Sequence, residues 1–375
     1  MKILLTGGGT GGHFYPLIAV AQELNSLAKE YRLLEAKLYY MAPIPYNNKA
    51  LFENSIEYKH MSAGKARRYF SLLNILDVFK TIFGVITAIL DLYSIYPDVV
   101  FGKGGYVSFP VLLAARLLRI PVVIHESDTV PGRVNMWAGK FATRVAISYP
   151  DAAKYFPQDK VAYTCNPVRK DIMIPARTGS KEFLGLEENI PTILVLGGSL
   201  GSRIINEYIM DALVKLLPHY QVIHQTGPNN FKAVQEIAGV ILKNNEFAHR
   251  YKPYDYLNDL NMRMAAGASD LVISRAGSAI FEIAAWNIPS IIIPISDSQG
   301  DHQRQNAYAY ARTGAATVIE EANLSSNIIV SEVEHLMKNS EQREKMILAA
   351  KAFFKPDAAR KIATEIMNIA LSHER

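Results

Sequence analysis

Apolar residues along this chain fall into short continuous runs that alternate with longer stretches at three-and-four spacing, the pattern of buried strands separated by helices. Residues 3–5 read as a strand. They enter the run Thr6-Gly7-Gly8-Gly9-Thr10-Gly11-Gly12-His13, and from Pro16 onward Leu17, Val20, Ala21 and Leu24 predict a helix. Strands are expected at 36–41, 56–60, 97–102, 120–124 and 145–147, with helices at 111–118 and 135–141. A long apolar helix is expected from Tyr69 to about Tyr96, interrupted only by Asp77, Lys80 and Asp91. It suits a helix buried on a sheet, or a membrane-surface patch in which Lys65, Arg67 and Arg68 meet anionic headgroups.

The second half repeats this grammar. Residues 193–196 lead into Gly197-Gly198-Ser199-Leu200-Gly201-Ser202 and a helix, as in the first turn. The stretch from Asp98 to Asp128 is echoed from Asp270 to Asp297, through Arg275-Ala276-Gly277-Ser278. Two halves of this kind predict an α/β protein of two doubly wound, Rossmann-like parallel-sheet domains, residues 1–170 and 171–354. Residues 174–191, with Pro175, Gly179 and Gly185, read as the linker. The carboxyl ends of the strands are expected to face each other across a cleft.

A strand, a tight glycine turn and a helix N-terminus offer backbone N–H groups and partial positive charge to an anion. The first turn, the turn at Gly197 and the segment Gly277-Ser278-Ala279 all have this form. Glu282, one turn into its helix, suits a ribose diol or a helix-dipole carboxylate. Ser199 suits a phosphate contact or a plain N-cap, and Gln303 a sugar hydroxyl or a surface helix start. His125-Glu126-Ser127-Asp128 closes a strand, where ligands of open α/β sheets bind. No two aspartates stand two apart to hold a divalent ion on a diphosphate, and no P-loop lysine motif is present. No acidic residue follows a second strand at the spacing a dinucleotide ribose contact requires, which disfavours an oxidoreductase.

Composition adds little to this. With 375 residues, 49% hydrophobic, the chain is long enough for two cores. A net charge of +5 suits anionic ligands or an anionic membrane surface as well as nucleic acid. The one cysteine, Cys165, excludes an internal disulfide and argues for a reducing compartment. Met1-Lys2 runs straight into the first strand, so no signal peptide is expected, and no 18-residue apolar run predicts a transmembrane helix.

Eight motifs in order then carry a resemblance: TGGGTGGHFYP (6–16), GGYVSFP (104–110), HESDTVPG (125–132), NPVR (166–169), GGSLGSRIIN (197–206), RAGSAIFE (275–282), DHQRQNA (301–307) and PDAARKIA (356–363). Together they resemble the MurG family of peptidoglycan glycosyltransferases across nearly the whole chain. The resemblance implies a two-domain GT-B fold. It implies inverting, metal-independent and cofactor-free transfer of N-acetylglucosamine from UDP-GlcNAc to lipid I at the cytoplasmic face of the membrane, with no nucleic-acid partner. It places Arg169, Ser199, Leu257, Ser278, Ala279, Glu282 and Gln303 at the donor, with Thr10, Gly11 and Gly12 touching it from the first domain. His13, Tyr106 and Glu126 fall around the acceptor and the chemistry, and Asp128 and Asn135 among the substrate-binding positions. His13 is the favoured base and Glu126 the alternate, while a histidine that merely orients the turn stays open. Residues 355–375 resemble the segment that packs back on the first domain. Asp128 departs from the family's asparagine, and a carboxylate near a diphosphate is unfavourable unless paired or turned away. Other readings are a different UDP-sugar glycolipid transferase, a sugar-nucleotide epimerase, and a non-catalytic sugar-nucleotide-binding protein.

Overall fold

The computed structural model describes residues 1–33, 36–65, 73–296 and 299–372, and among them thirteen strands build two all-parallel sheets. The chain divides into two units. Unit 1 is Met1–Arg169 with the C-terminal stretch from Lys355, and unit 2 is Lys170–Phe354.

Unit 1 holds β1 (Lys2–Thr6), β2 (Lys37–Ala42), β3 (Ile56–His60), β4 (Val99–Gly102), β5 (Val122–Glu126), β6 (Arg144–Ile147) and β7 (Val161–Tyr163), in the order β3-β2-β1-β4-β5-β6-β7. Unit 2 holds β8 (Thr192–Leu196), β9 (Gln221–Gln225), β10 (Tyr251–Tyr254), β11 (Leu271–Ser274), β12 (Ser290–Ile292) and β13 (Ala316–Val318), in the order β10-β9-β8-β11-β12-β13. In each sheet the strand order reverses between the first strand and the fourth. Crossover chains leave on opposite faces at that point, opening a crevice at the strands' carboxyl ends. The register brings Thr6 beside Gly102 and Leu196 beside Ser274, so the loops that follow these residues stand side by side.

Alternation along β8 shows why the sheets are buried on both faces. Ile193 and Val195 join Ile205, Ile209 and Leu213 in one layer, and Leu194 and Leu196 join Ile280, Ile283 and Trp286 in the other. In unit 1 the helix Ala358–Leu371 packs on the helix Gly11–Glu30 and adds Ile362, Ala363, Ile366 and Met367 to the core. Arg360 clamps Glu30 there through two hydrogen bonds, at 3.0 and 2.6 Å.

Two boundaries differ from the sequence expectation. The first helix begins at Gly11, not Pro16, because the Thr10 carbonyl already accepts from His13 N (3.2 Å) and Phe14 N (3.1 Å). Gly11, Gly12 and His13 are therefore its first turn. The division between units falls after Arg169, ahead of the expected linker at 174–191. The short helix Lys170–Met173 precedes that stretch and Ser180–Phe183 lies within it, and both pack on the helix Asp259–Ala268 of unit 2. Pro175, Gly179 and Gly185 marked it as a connection, but Leu184 within it and Ile172 just before it are buried.

The helix Leu73–Ile95 is turned inside out relative to a soluble amphipathic helix. Asp77 is buried, while Ile75, Leu76, Val78, Phe79, Ile82, Phe83, Ile86, Leu90 and Tyr93 are exposed, Phe83 at 64% and Tyr93 at 73%. Ala88, Leu92 and Ile95 anchor its C-terminal half in the core, so of the two expectations for this helix the buried one holds only there. Lys65 is exposed; Arg67 and Arg68 lie outside the described residues. No described helix is long and apolar enough to cross a membrane.

Candidate active site

In unit 1 the switch point lies between the turn after β1 and the loop after β4. The two are stitched by Lys103 N donating to Thr6 O at 2.9 Å, and Tyr40 Oη donates to Gly7 O at 2.7 Å from beneath. A Cβ on Gly7 would stand 2.8 Å from Lys103 Cβ, so only glycine allows the two loops to lie this close. Gly104 and Gly105 take positive φ (82° and 76°) and turn the second loop back over the first.

His13 sits where these loops meet. Its Nδ1 lies 3.0 Å from Thr10 Oγ1, and a Cβ on Gly105 would stand 3.8 Å from its Nε2. Tyr106, partly exposed, faces Gly9. Thr10, Gly11, Gly12, His13 and Tyr106 are thus gathered at one point. The N–H groups of Gly11 and Gly12 open the helix, ahead of its own hydrogen-bond ladder.

Glu126, Asp128 and Asn135 form a second cluster in the same unit. Glu126 is 3% exposed. Its Oε1 accepts from Asp128 N (2.9 Å) and its Oε2 from Gly132 N (3.1 Å) and Asn135 Nδ2 (2.9 Å). Asn135 Nδ2 also donates to His125 O at 3.0 Å. Both carboxylate oxygens are committed to holding residues 126–132, which leaves Glu126 poorly placed to take a substrate proton. Burial, then the charge of Asp128, pushes its carboxyl above the usual range.

Lys103 was not singled out by sequence reasoning. Buried to 1% exposure, it donates from Nζ to Asn166 Oδ1 at 3.3 Å. Burial pulls its ammonium below the usual lysine value, and the charges of Glu126 and Asp128 oppose that. Arg169, the last residue of unit 1, lies with its guanidinium 3.7 Å from the centre of the Tyr15 ring. It stands in unit 1, and the other six residues expected at the donor stand in unit 2.

In unit 2 the switch point lies between the turn after β8 and the segment after β11. The N-cap of the helix Arg203–Leu216 is Ser202, whose Oγ accepts from Ile205 N; Leu200 and Gly201 lengthen the turn, so Ser199 is not the cap. Gln225, at the end of β9, was also missed. Its Nε2 donates to Gly198 O (3.2 Å) and its Oε1 accepts from Leu257 N (3.0 Å), which ties the Ser199 turn to buried Leu257. The strand-end rule that exposed Glu126 applies equally to Gln225.

Arg275 holds the facing segment. It donates to Ser202 Oγ (2.6 Å) and Ile293 O (3.1 Å), and its Nη1 lies 2.5 Å from Glu321 Oε2. Ser278 precedes the helix Ala279–Trp286, placing Ala279 and Glu282 in its first turn, where the N-terminal dipole favours an anion. Gln303 accepts from Ile295 N through Oε1 (3.2 Å), and Asn306 donates to Ala276 O (3.1 Å), so the helix His302–Ala311 is latched to this segment.

Residues 3–147 match the glycosyltransferase family 28 N-terminal domain, and residues 192–362 the family 28 C-terminal domain. A UDP-N-acetylglucosamine–N-acetylmuramyl-(pentapeptide) pyrophosphoryl-undecaprenol N-acetylglucosamine transferase of Clostridium botulinum is 36% identical over 342 residues, 90% of this chain and 91% of that protein. A Bacillus cereus enzyme of the same description is 37% identical over 345 residues, 91% of this chain and 92% of its own. Among solved structures, Acinetobacter baumannii MurG has 25% identity and a TM-score of 0.71, covering 98% of this chain and 99% of that one. The UDP-GlcNAc 2-epimerase of Neisseria meningitidis, with 17% identity and a TM-score of 0.69 over 98% and 100%, shares the fold. The chain belongs to glycosyltransferase family 28, with the MurG-type N-acetylglucosamine transferases.

Proposed function

We propose that this protein transfers N-acetylglucosamine from UDP-GlcNAc to the muramyl sugar of lipid I, forming lipid II, with inversion at the anomeric carbon. The observation that carries this reading is alignment over nine-tenths of the chain with transferases of that description, with a histidine at the meeting point of the two unit 1 loops. Unit 2 holds the donor. The first-turn N–H groups at Ser278 and Ala279, together with the turn at Ser199, take the diphosphate, and Glu282 and Gln303 take hydroxyls of the ribose and the sugar. Arg169 adds a fixed positive charge. Unit 1 holds the acceptor beside Tyr106, with Thr10, Gly11 and Gly12 lining the reacting centre and Asn135 keeping the neighbouring loop in place.

His13 is the base. With Nδ1–H donated to Thr10 Oγ1, Nε2 carries the lone pair and takes the proton of the attacking hydroxyl. The oxygen bonds to the anomeric carbon, the bond to the diphosphate breaks, and UDP departs with the electron pair. Backbone donors and helix dipoles stabilise the charge on the leaving diphosphate without a metal. Labelled UDP-GlcNAc and a lipid I analogue test this directly: transfer is expected, at the same rate with EDTA as without it. No transfer would reject the reading, and loss of transfer on chelation would reject metal independence.

The exposed apolar face of the helix Leu73–Ile95 is the proposed membrane contact, with Lys65, Arg67 and Arg68, which precede it in the sequence, meeting anionic headgroups, and it holds the protein to the cytoplasmic face of the membrane. Phe79→Ser/Phe83→Ser is expected to weaken binding to phosphatidylglycerol vesicles about tenfold or more in sedimentation, since each phenylalanine withdrawn from lipid forfeits on the order of 1.5–3 kcal/mol. Unchanged binding would place the contact elsewhere.

A further inference from the structure

His224 lies in the interior of unit 2, and both of its ring nitrogens are engaged. It stands on β9 with Nδ1 3.0 Å from Tyr251 Oη on β10 and Nε2 3.0 Å from Asn206 Oδ1 on the helix Arg203–Leu216. Asn206 passes the contact on. Its Nδ2 donates to Thr226 O at 3.0 Å, and Asn230 Nδ2 donates to the same oxygen at 3.0 Å. The direction of this relay follows from its end. A carbonyl can only accept, so Asn206 turns its N–H to Thr226 and its oxygen to His224. Nε2 therefore carries the proton, and Nδ1 offers the lone pair that accepts from the Tyr251 hydroxyl. Burial pulls the imidazole down to about 3, so the ring is neutral. Beyond the relay, two turns lie backbone against backbone. Thr226 O fills the space a Cβ on Gly201 would take, and Leu200 O the space a Cβ on Gly227 would take. Both glycines have positive φ, +78° and +87°.

We propose that His224 is a positioning residue for the donor: through Asn206 it fixes the Thr226 carbonyl, and through that carbonyl the turn that carries Ser199. An apolar side chain at 224 would leave Asn206 Oδ1 buried without its donor. The amide would then be free to turn over and present its oxygen to Thr226 O, which repels it and loosens the seat of Gly201. The two last polar residues of β9 divide the work, since neighbours on a strand point to opposite faces. Gln225 holds Gly198 O directly, at 3.2 Å, and His224 holds the Gly201 end by way of Thr226. That this turn meets a diphosphate rests on the transferase reading above.

Binding of UDP, read by titration calorimetry, tests this without any reaction. His224→Leu is expected to weaken UDP about tenfold, the worth of one buried hydrogen bond. His224→Gln, whose amide N–H can replace Nε2–H, is expected to restore binding to within about threefold of the parent. KM for UDP-GlcNAc is expected to follow the same order, with kcat and the KM for the acceptor within about threefold of the parent. Histidine 15N spectra of the parent are expected to show His224 as the neutral Nε2–H tautomer across about pH 5–8. Should His224→Leu fail to fold, Tyr251→Phe replaces it; it removes the hydroxyl that holds Nδ1 and is expected to weaken UDP about threefold. An Nδ1–H tautomer overturns the proposal. So does UDP binding that stays at the parent's value in the leucine variant, or in Tyr251→Phe where that stands in, and so does a glutamine variant no better than leucine. A parent protein that binds no UDP and transfers nothing rejects the transferase reading. The backbone amide signals of residues 198–201 then decide whether His224 sets the turn: displaced by His224→Leu and restored by His224→Gln if it does, unmoved if it does not.

Discussion

His13→Ala is expected to lower kcat by about 10²–10⁴-fold, the usual worth of a positioned general base. KM for UDP-GlcNAc is expected to stay within about threefold, because six of the seven side chains proposed to hold the donor stand in unit 2 and His13 is not among them. The geometry sets both expectations. The ring is fixed at Nδ1 by Thr10, and its Nε2 side looks onto Gly105. Thr10→Val is the informative companion. It keeps the imidazole but removes the oxygen that orients it and selects the tautomer, so it is expected to lower kcat by a smaller factor, about tenfold, in steady-state assays. Turnover of His13→Ala within a few-fold of the parent would reject the histidine as base. Glu126 is a weak replacement, since both of its oxygens are occupied.

Gly201→Ala is expected to damage unit 2 as severely. Gly201 has φ +78°, and the Thr226 carbonyl oxygen fills the space a Cβ would take. That oxygen cannot retreat cheaply: it accepts from Asn206 Nδ2 and Asn230 Nδ2, both at 3.0 Å. Asn206 in turn meets His224 Nε2 at 3.0 Å, and Tyr251 Oη lies 3.0 Å from His224 Nδ1, all buried. The strained backbone alone costs about 1–3 kcal/mol, and the displaced carbonyl adds to it. A fall in unfolding free energy of about 2 kcal/mol or more is expected in urea. KM for UDP-GlcNAc is expected to rise about tenfold or more, because the turn carrying Ser199 moves with Gly201. A variant with the parent's stability and KM would show that the turn is more pliable than its packing implies.

These two sites differ in how openly the sequence displayed them. His13 closes a run of glycines between a strand and a helix, and the run stands out because turning the chain does not require so many. The echo of the first half in the second exposed both switch points, since each is a glycine turn followed by helical spacing. The paired strands, the parallel sheets and the return of the last helix follow from that repetition and from the resemblance. What stayed hidden depends on burial, which spacing does not encode. Lys103 reads as an ordinary loop lysine until the register of β1 and β4 sinks it. Gln225 is one polar residue at the end of one strand until both ends of its amide are seen engaged. Ser199 and Ser202 are equivalent caps on paper, and Leu200 and Gly201 decide between them. The helix Leu73–Ile95 is apolar on several sides, so its sequence could not say which face the core would leave uncovered.

The return of the helix Ala358–Leu371 to unit 1 has a consequence for synthesis on the ribosome. Unit 2 is one continuous stretch of chain and can close as soon as Phe354 has emerged. Unit 1 is begun before unit 2 but lacks Ile362, Ala363, Ile366 and Met367 until unit 2 has been made. At about 5–20 residues per second, the face of Gly11–Glu30 that these residues cover stays bare for on the order of 10 s while unit 2 is translated. The nascent first unit is therefore the later one to mature and the one that exposes apolar surface to chaperones, and residues made after unit 2 are what complete the scaffold of the first glycine turn.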